Sequence, residues 1–149
     1  MKLVTTERDS HHGTVLTEWS TTADCGHLYW AFTEGLSDWL GDPSSMSMVV
    51  EPGAAFCIDV RREWGGGAHY GRFVSLHRDR RVSMKWIGES FGGVESDVVI
   101  DLVTTARGTD VSVSHACVIE PQARAVVASF WTAARHALDT IIFSAQPRR

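Results

Sequence analysis

The sequence has few of the features that mark secreted, metal-binding or nucleic-acid-binding proteins. Its three cysteines, Cys25, Cys57 and Cys117, are far apart and form no CxxC pair. Neither a disulfide framework nor a zinc site is therefore expected. Fourteen Lys plus Arg residues stand against eighteen Asp plus Glu, which gives a net charge of −4. No nucleic-acid partner is expected, because a general binder of the phosphate backbone needs a concentrated basic face.

Long apolar runs and local catalytic motifs are scarce as well. No run of 18 apolar residues occurs and the N-terminus has no apolar signal region, so no membrane span is expected and a cytoplasmic protein is the default. The glycine triplet at 65–67 lacks the Lys-Ser/Thr of a phosphate-binding loop. His11 and His12 are adjacent but have no obvious third ligand. We predict no metal, no cofactor and no catalytic residue.

What the sequence does contain is a long helical pattern near its C-terminus. Pro121 suits a first helical turn, where its missing N–H costs nothing, and Pro147 closes the pattern. The spacing predicts a helix over 121–146, the longest element of the chain. Its apolar residues recur in steps of three and four along one face: Val127, Phe130, Ala134, Leu138 and Ile141.

Upstream of this helix, period-two alternation predicts a series of strands. The strands are expected over 14–20, 46–51, 55–63, 68–76, 81–87, 97–104 and 110–118. Two short helices, at about 25–34 and 36–40, follow the first strand. Strands in series followed by a helix are typical of an α+β fold. We predict a curved antiparallel sheet of about seven strands wrapped around the long helix, as one domain over 14–146, with residues 1–13 as a flexible N-terminal arm.

Five short motifs support this interpretation, because the order in which they occur along the chain is similar to that in a known superfamily. They are Leu36–Leu40 (LSDWL), Val50–Phe56 (VEPGAAF), Tyr70–Val74 (YGRFV), Arg81–Trp86 (RVSMKW), and Arg107–His115 together with Phe130–Trp131. In this order they resemble the SRPBCC (START-like) superfamily, and within it the family of activators of the heat-shock chaperone ATPase. The resemblance implies a helix-grip fold with an elongated apolar pocket between sheet and helix. It implies no shared catalytic set.

The candidate ligand-pocket residues follow from this resemblance and from the strand patterns. His115 continues an apolar strand face, either as a core histidine with a protein partner or as a polar contact to a ligand. Tyr70 and Phe73 lie on opposite faces of one strand, so at most one can line the pocket. The tryptophans are either pocket walls or plain core. The full set is Trp39, Tyr70, Phe73, Trp86, His115, Val127 and Trp131.

The predicted function is the binding of a small apolar or amphipathic molecule, such as a lipid, beneath the helix. The first alternative is an enzyme similar to polyketide cyclases and aromatases, for which Arg72, Lys85, His115 or Tyr70 would have to converge inside the pocket; it fails if all four side chains face solvent. The second is a protein-interaction module that regulates a chaperone, as the family's name suggests. A homodimer is compatible with exposed sheet edges. A Cys25–His27 nucleophile pair is not expected, because positions i and i+2 of a helix do not face each other.

Overall fold

We describe the fold from a computed structural model of the chain. It describes residues 4–8, 13–41, 47–62, 66–88, 93–116, 118 and 120–144. In chain order the elements are β1 (Val4–Arg8), β2 (Thr14–Thr21), α1 (Cys25–Phe32), α2 (Leu36–Trp39), β3 (Ser47–Met48), β4 (Ala55–Asp59), β5 (Ala68–His77), β6 (Arg81–Gly88), β7 (Ser96–Thr104), β8 (Thr109–Ala116) and α3 (Pro121–Ser144).

The strands form one antiparallel sheet in the order β1-β2-β8-β7-β6-β5-β4-β3. β2 pairs with β8 rather than with its sequence neighbour β3, because α1 and α2 carry the chain across to the far edge of the sheet. From β3 to β8 each strand pairs with the next. The predicted α+β helix-grip fold is confirmed, with one strand more than the seven expected.

The additional strand is β1, which corrects the prediction of a loose arm over residues 1–13. Val4–Arg8 pairs in register with Thr14–Glu18 of β2. Hydropathy gave no signal because an edge strand gains backbone hydrogen bonds without needing an apolar face. The segment VTTER is rich in β-branched residues, which favour strands. Residues 1–3 and 9–12 lie outside the described part of the chain, and the domain limits of 14–146 stay a prediction.

Other element boundaries differ from the predicted ones by a few residues. The strand expected over 46–51 is Ser47–Met48, the one over 55–63 ends at Asp59, and the helix over 25–34 ends at Phe32. The long helix is described to Ser144, so its predicted last residues, 145 and 146, lie outside the described range. Asp24 is the N-cap of α1: its side chain accepts a hydrogen bond from the His27 backbone N–H at 2.8 Å, which satisfies one free donor of the helix.

The sheet buries one face against α3 and leaves the other exposed. Phe56 and Ile58 of β4 point inward, as their alternation predicts, while Ala55, Cys57 and Asp59 point outward. The same alternation holds in β6 and β7. Four residues of the predicted apolar face of α3 are buried, and Trp131 is buried beside them: Val127, Phe130, Ala134 and Leu138. The side chain of Ile141, the fifth predicted residue, lies outside the described part of the chain.

Close packing on the inner face leads to a prediction at Gly71 of β5. A Cβ atom built on Gly71 overlaps the Phe56 ring, which is itself buried against Phe73 and Trp86. We expect Gly71→Ala to lower the free energy of unfolding by about 1–3 kcal/mol, the usual cost of overpacking a core. The matched control is Gly26→Ala in α1. There the nearest atom to the added Cβ is the Asp24 carboxylate oxygen at 3.5 Å.

The Gly26→Ala change is expected to be neutral or to stabilise the protein by up to about 1 kcal/mol, because alanine favours helix more than glycine does. Urea unfolding of both variants, followed by tryptophan fluorescence, measures the difference. Equal midpoints for Gly71→Ala and the unmodified protein would show that the Phe56 ring moves aside without cost.

Candidate functional site

The candidate site is the inner face of the sheet together with the buried face of α3. Six of the seven predicted pocket residues are buried there or at its margin, each no more than 2% exposed. Tyr70 is the exception, since its side chain is 52% exposed on the outer face. Phe73 takes the inward position on β5, so Tyr70 is removed from the inner set. The role of the other six as pocket walls stays a prediction.

A first buried polar chain joins α3 to the sheet through His115. The Trp131 indole Nε1–H donates to His115 Nδ1 at 3.1 Å. On the other side of the ring, His115 Nε2 lies 2.8 Å from Ser96 Oγ, which in turn donates to the Trp86 carbonyl at 3.0 Å. An indole N–H can only donate, so Nδ1 accepts and the imidazole proton sits on Nε2. Two tryptophans thus fix the tautomer and orientation of His115.

A second buried polar chain of the same kind joins Trp86 of β6 to His69 of β5, the next strand in the sheet. The Trp86 indole Nε1–H donates to His69 Nδ1 at 2.8 Å. The His69 ring also bonds to the backbone of Gly66, and it stacks on Phe130 of α3 with centroids 6.4 Å apart and planes 17° from parallel. Both histidines therefore accept from a tryptophan at Nδ1. Each is held between the sheet and the helix.

The environment keeps both imidazoles neutral. The pKa of His115 is lowered to about 3, mainly by burial and also by the nearby His69, while Asp97 acts in the opposite direction. Burial also lowers the pKa of His69 to about 4, against the hydrogen bond to Gly66. At neutral pH the two rings serve as uncharged hydrogen-bonding groups. Proton transfer by either ring near pH 7 is disfavoured, because the charged form is not stabilised.

Trp86 is the centre of the aromatic cluster that fills the space between β4–β6 and α3. Its ring makes edge contacts with Phe56, Phe130 and Trp131, with centroids 5.6, 6.4 and 6.3 Å apart. Trp39 belongs to a separate region, because its indole N–H donates to the Ala31 carbonyl at 2.8 Å. Of the three tryptophans expected as pocket walls, Trp86 and Trp131 thus lie together in the central cluster, and Trp39 lies at the junction of α1 and α2.

Two buried polar atoms on β2 have no hydrogen-bond partner among the described residues. They are Thr17 Oγ1 and Trp19 Nε1, on residues that are 0% and 3% exposed. Both side chains point to the inner face, opposite Val113 and Val111 of β8. Most buried polar atoms in folded proteins are paired, so these two atoms are candidates for contact with a bound molecule.

Of the four polar residues named for the cyclase alternative, the structure brings one, His115, to the inner face. His115 points inward, whereas Tyr70, Arg72 and Lys85 line the outer face of β5 and β6. The Lys85 ammonium pairs with the Asp97 carboxylate at 2.6 Å. The sheet itself separates the three outer side chains from His115.

Other candidate reactive groups are engaged in local contacts. Cys25 Sγ lies 3.2 Å from Thr104 Oγ1, and His27 Nδ1 pairs with Asp24 at 2.8 Å. Cys25 and His27 thus have different partners, in agreement with the sequence expectation. Residues 88–92 (GESFG) match the Gly-x-Ser-x-Gly pattern of hydrolases. That pattern needs a strand-to-helix turn, but this segment connects β6 with β7; residues 89–92 lie outside the described chain.

The described residues contain neither a cluster of metal-ligating side chains nor a membrane-spanning helix. No three His, Cys, Asp or Glu side chains come together there as a metal site. None of the described helices combines the length and apolarity needed to cross a membrane. His11 and His12 lie outside the described part of the chain.

Sequence reasoning missed several residues of the site. His69, Ser96 and the unpaired hydroxyl of Thr17 were not singled out, although all three stand at inward positions of alternating strands. In β5, the alternation of His69, Gly71 and Phe73 was a usable signal. It places His69 on the same face of the strand as Phe73.

An antiparallel sheet that closes around one long C-terminal helix, with an aromatic core between them, defines the helix-grip class of proteins. The sequence profile of the family described as "Activator of Hsp90 ATPase homolog 1-like protein" matches residues 22–142, which is most of the chain. The chain belongs to this family. A search of curated protein sequences finds no significant match.

Solved structures with the same fold include proteins from several bacteria. CalU16 from Micromonospora echinospora is 19% identical, with a TM-score of 0.72 over 95% of this chain and 85% of that one. The Aha1 dimer from Colwellia psychrerythraea is 19% identical, with a TM-score of 0.72 over 86% and 94%. DynU16, from the dynemicin biosynthetic locus, is 21% identical, with a TM-score of 0.73 over 90% of this chain and 48% of that one. At these identities the likeness concerns the fold.

Proposed function

We propose that the protein binds a small amphipathic molecule between the inner face of the sheet and α3. The observation that carries the proposal is that two buried polar atoms, Thr17 Oγ1 and Trp19 Nε1, have no hydrogen-bond partner among the described residues. A buried polar group without a partner costs about 1–3 kcal/mol. A ligand that offers a hydrogen-bond acceptor removes that cost on binding.

The chemistry of the two atoms narrows the ligand class. An indole N–H only donates, and a hydroxyl can donate or accept, so a carbonyl or hydroxyl oxygen is a suitable partner for either atom. The surrounding side chains are apolar, including Val111 and Val113 on the neighbouring strand. The ligand is therefore a mainly apolar molecule with one oxygen directed at β2. The neutral His69 and His115 favour an uncharged ligand for the same interior, because neither ring offers a charge to balance one.

Thr17→Val tests the proposal because valine has nearly the same shape and lacks the hydroxyl. We expect this variant to be more stable than the unmodified protein by about 1 kcal/mol in the absence of ligand, since an unsatisfied buried hydroxyl is removed. It should also bind acetophenone about tenfold more weakly, the equivalent of about 1.4 kcal/mol. Thr140→Val, on an exposed position of α3, is the matched control and should change neither quantity much.

Binding is measured by NMR on the indole N–H resonances, with acetophenone and ethylbenzene as a matched probe pair. The two molecules have nearly the same shape, but only acetophenone carries the oxygen. We expect acetophenone to shift the Trp19 indole resonance and to bind more tightly than ethylbenzene. Equal affinity for the two probes, or a Thr17→Val variant that is less stable and binds unchanged, would remove the basis of the proposal.

The alternatives lack a comparable observation. The cyclase alternative depends on polar side chains that lie on opposite faces of the sheet. The chaperone alternative rests on the family's name alone. Homodimer formation is a separate proposal that follows from the two sheet edges, β1 and β3, and sedimentation velocity over a range of protein concentrations tests it.

A further inference from the structure

A second concave surface lies on the outer face of the sheet, away from α3. This outer groove has a volume of about 380 Å³ and crosses β4, β5 and β6. Its lining includes Cys57, Tyr70, Arg72, Lys85, Ile87 and Glu95. Its size lies in the range of small-molecule sites, roughly 300–1,000 Å³.

The strand register arranges the outer groove as two parallel rows. Cys57, Tyr70 and Ile87 are direct cross-strand neighbours and form an apolar row. Two residues along, Arg72 stands opposite Lys85 and forms a cationic row. An apolar platform thus lies beside a pair of positive charges, which is the layout that recognises an aromatic ring carrying an acidic group.

The apolar row is accessible to a ligand. Tyr70 is 52% exposed and Ile87 is 37% exposed, although both are large side chains in the middle of paired strands. A ring that lies flat on Tyr70 and Ile87 would cover this area, and offset stacking on the phenol adds to the affinity beyond the area buried.

The cationic row carries an unfavourable interaction that an anion would relieve. Like charges directly opposite each other on neighbouring strands destabilise a sheet. Lys85 is compensated by the Asp97 carboxylate at 2.6 Å. Arg72 is exposed and has no hydrogen bond or ion pair with another described residue. Its guanidinium therefore offers a planar set of donors toward the groove, suited to a carboxylate.

We propose that the outer groove is a binding site for a small aromatic monocarboxylate. The ring lies on Tyr70 and Ile87, and the carboxylate pairs with the Arg72 guanidinium. Glu95 lines the same groove, so a ligand with several negative charges, such as a polyphosphate, meets a repelling carboxylate there. This site is independent of the interior site proposed above, because the sheet separates them.

The probe for the outer groove is 1-naphthoate, with the uncharged 1-naphthamide as its matched control. Titration of the ¹⁵N-labelled protein followed by NMR should shift the backbone resonances of residues 57, 70–72 and 85–87. A hydrogen bond to a charged group contributes more to affinity than one between neutral groups. Arg72→Gln should therefore weaken naphthoate binding by about tenfold or more. It should leave the weaker binding of naphthamide nearly unchanged.

Two further variants complete the test. Ile87→Ala should weaken naphthoate and naphthamide alike, because it removes part of the platform. Arg78→Gln alters an exposed arginine that is not part of the groove lining, and it should leave both affinities as they are. Naphthamide binding as tightly as naphthoate would overturn the proposal. So would shifts confined to inner residues such as Trp19 and Trp131, although that result would support the interior site.

Discussion

Lowering the pH from about 7.5 to about 5 is expected to reduce the free energy of unfolding by about 4 kcal/mol through His69 and His115 alone. Both imidazoles have a pKa near 6.5 in the unfolded chain. In the folded protein the pKa is about 4 for His69 and about 3 for His115. At pH 5 the unfolded chain therefore binds two protons that the folded protein excludes. Each of these protons lowers the free energy of unfolding by about 2 kcal/mol.

The direction of this effect follows from the lowered pKa values. Protonation favours the unfolded state, so the contribution of each neutral histidine to the free energy of unfolding is fully present above about pH 6.5. It is lost progressively as the pH falls toward 4 for His69 and toward 3 for His115. Below those values the folded protein would carry a charged imidazole on a nitrogen that now accepts from an indole N–H. Protonation would break both Trp–His hydrogen bonds.

Urea unfolding at several pH values measures the effect, with His115→Gln compared against His136→Gln. His136 is an exposed residue of α3, so its replacement is the matched control. We expect His115→Gln to reduce the difference in unfolding free energy between pH 7.5 and 5 by about 2 kcal/mol. The NMR shifts of the two imidazole rings provide a second measurement that needs no variant. If these rings titrate near pH 6.5 in the folded protein, the proposed neutral network is wrong.

Trp86→Ala is expected to cost about 3–5 kcal/mol of stability, the usual range for truncating a buried tryptophan. Trp86 is 1% exposed and its ring contacts Phe56, Phe130 and Trp131. The change also removes the hydrogen bond from the indole to His69 Nδ1, which leaves a buried acceptor unpaired. Because a domain of this size is stable by about 5–15 kcal/mol, the loss is a large share of the total.

Ile87→Ala is the matched control for this experiment, because Ile87 is the next residue of β6 and points to the outer face. Its side chain is 37% exposed, so its truncation should cost much less than that of Trp86. Trp86→Phe separates the two contributions, since phenylalanine keeps part of the ring packing and lacks the N–H. Thermal and urea unfolding measure all three. A Trp86→Ala variant that is no less stable than Ile87→Ala would show that Trp86 is not part of the core.

Much of the fold could be predicted from local patterns in the sequence. The helix beginning at Pro121, the two short helices and the alternation in β4 to β8 were all visible, because burial on one face repeats every 3.6 or two residues. β1 was not visible. Its pairing with β2 depends on backbone hydrogen bonds, which leave no apolar period to detect.

The candidate site was only partly predictable. Trp86, His115 and Trp131 were proposed from motifs, and the structure joins them through Ser96 and the tryptophan N–H groups. The choice between Tyr70 and Phe73 was left open, because alternation shows that two residues lie on opposite faces without showing which face is inside. His69 was missed because its role depends on Trp86 and Phe130, which are distant in sequence.

The sequence by itself determined the class of fold, the order of its elements and the residues that alternate on each strand. These depend on local periodicity and turn residues, which any short window of the chain displays. Only the tertiary structure decided which face is inner, which histidines become neutral and which polar atoms stay unpaired. Those properties depend on how residues far apart in the chain are brought together, such as Trp131 with His115 and Trp86 with His69, and on the exclusion of water that the sheet and α3 produce together.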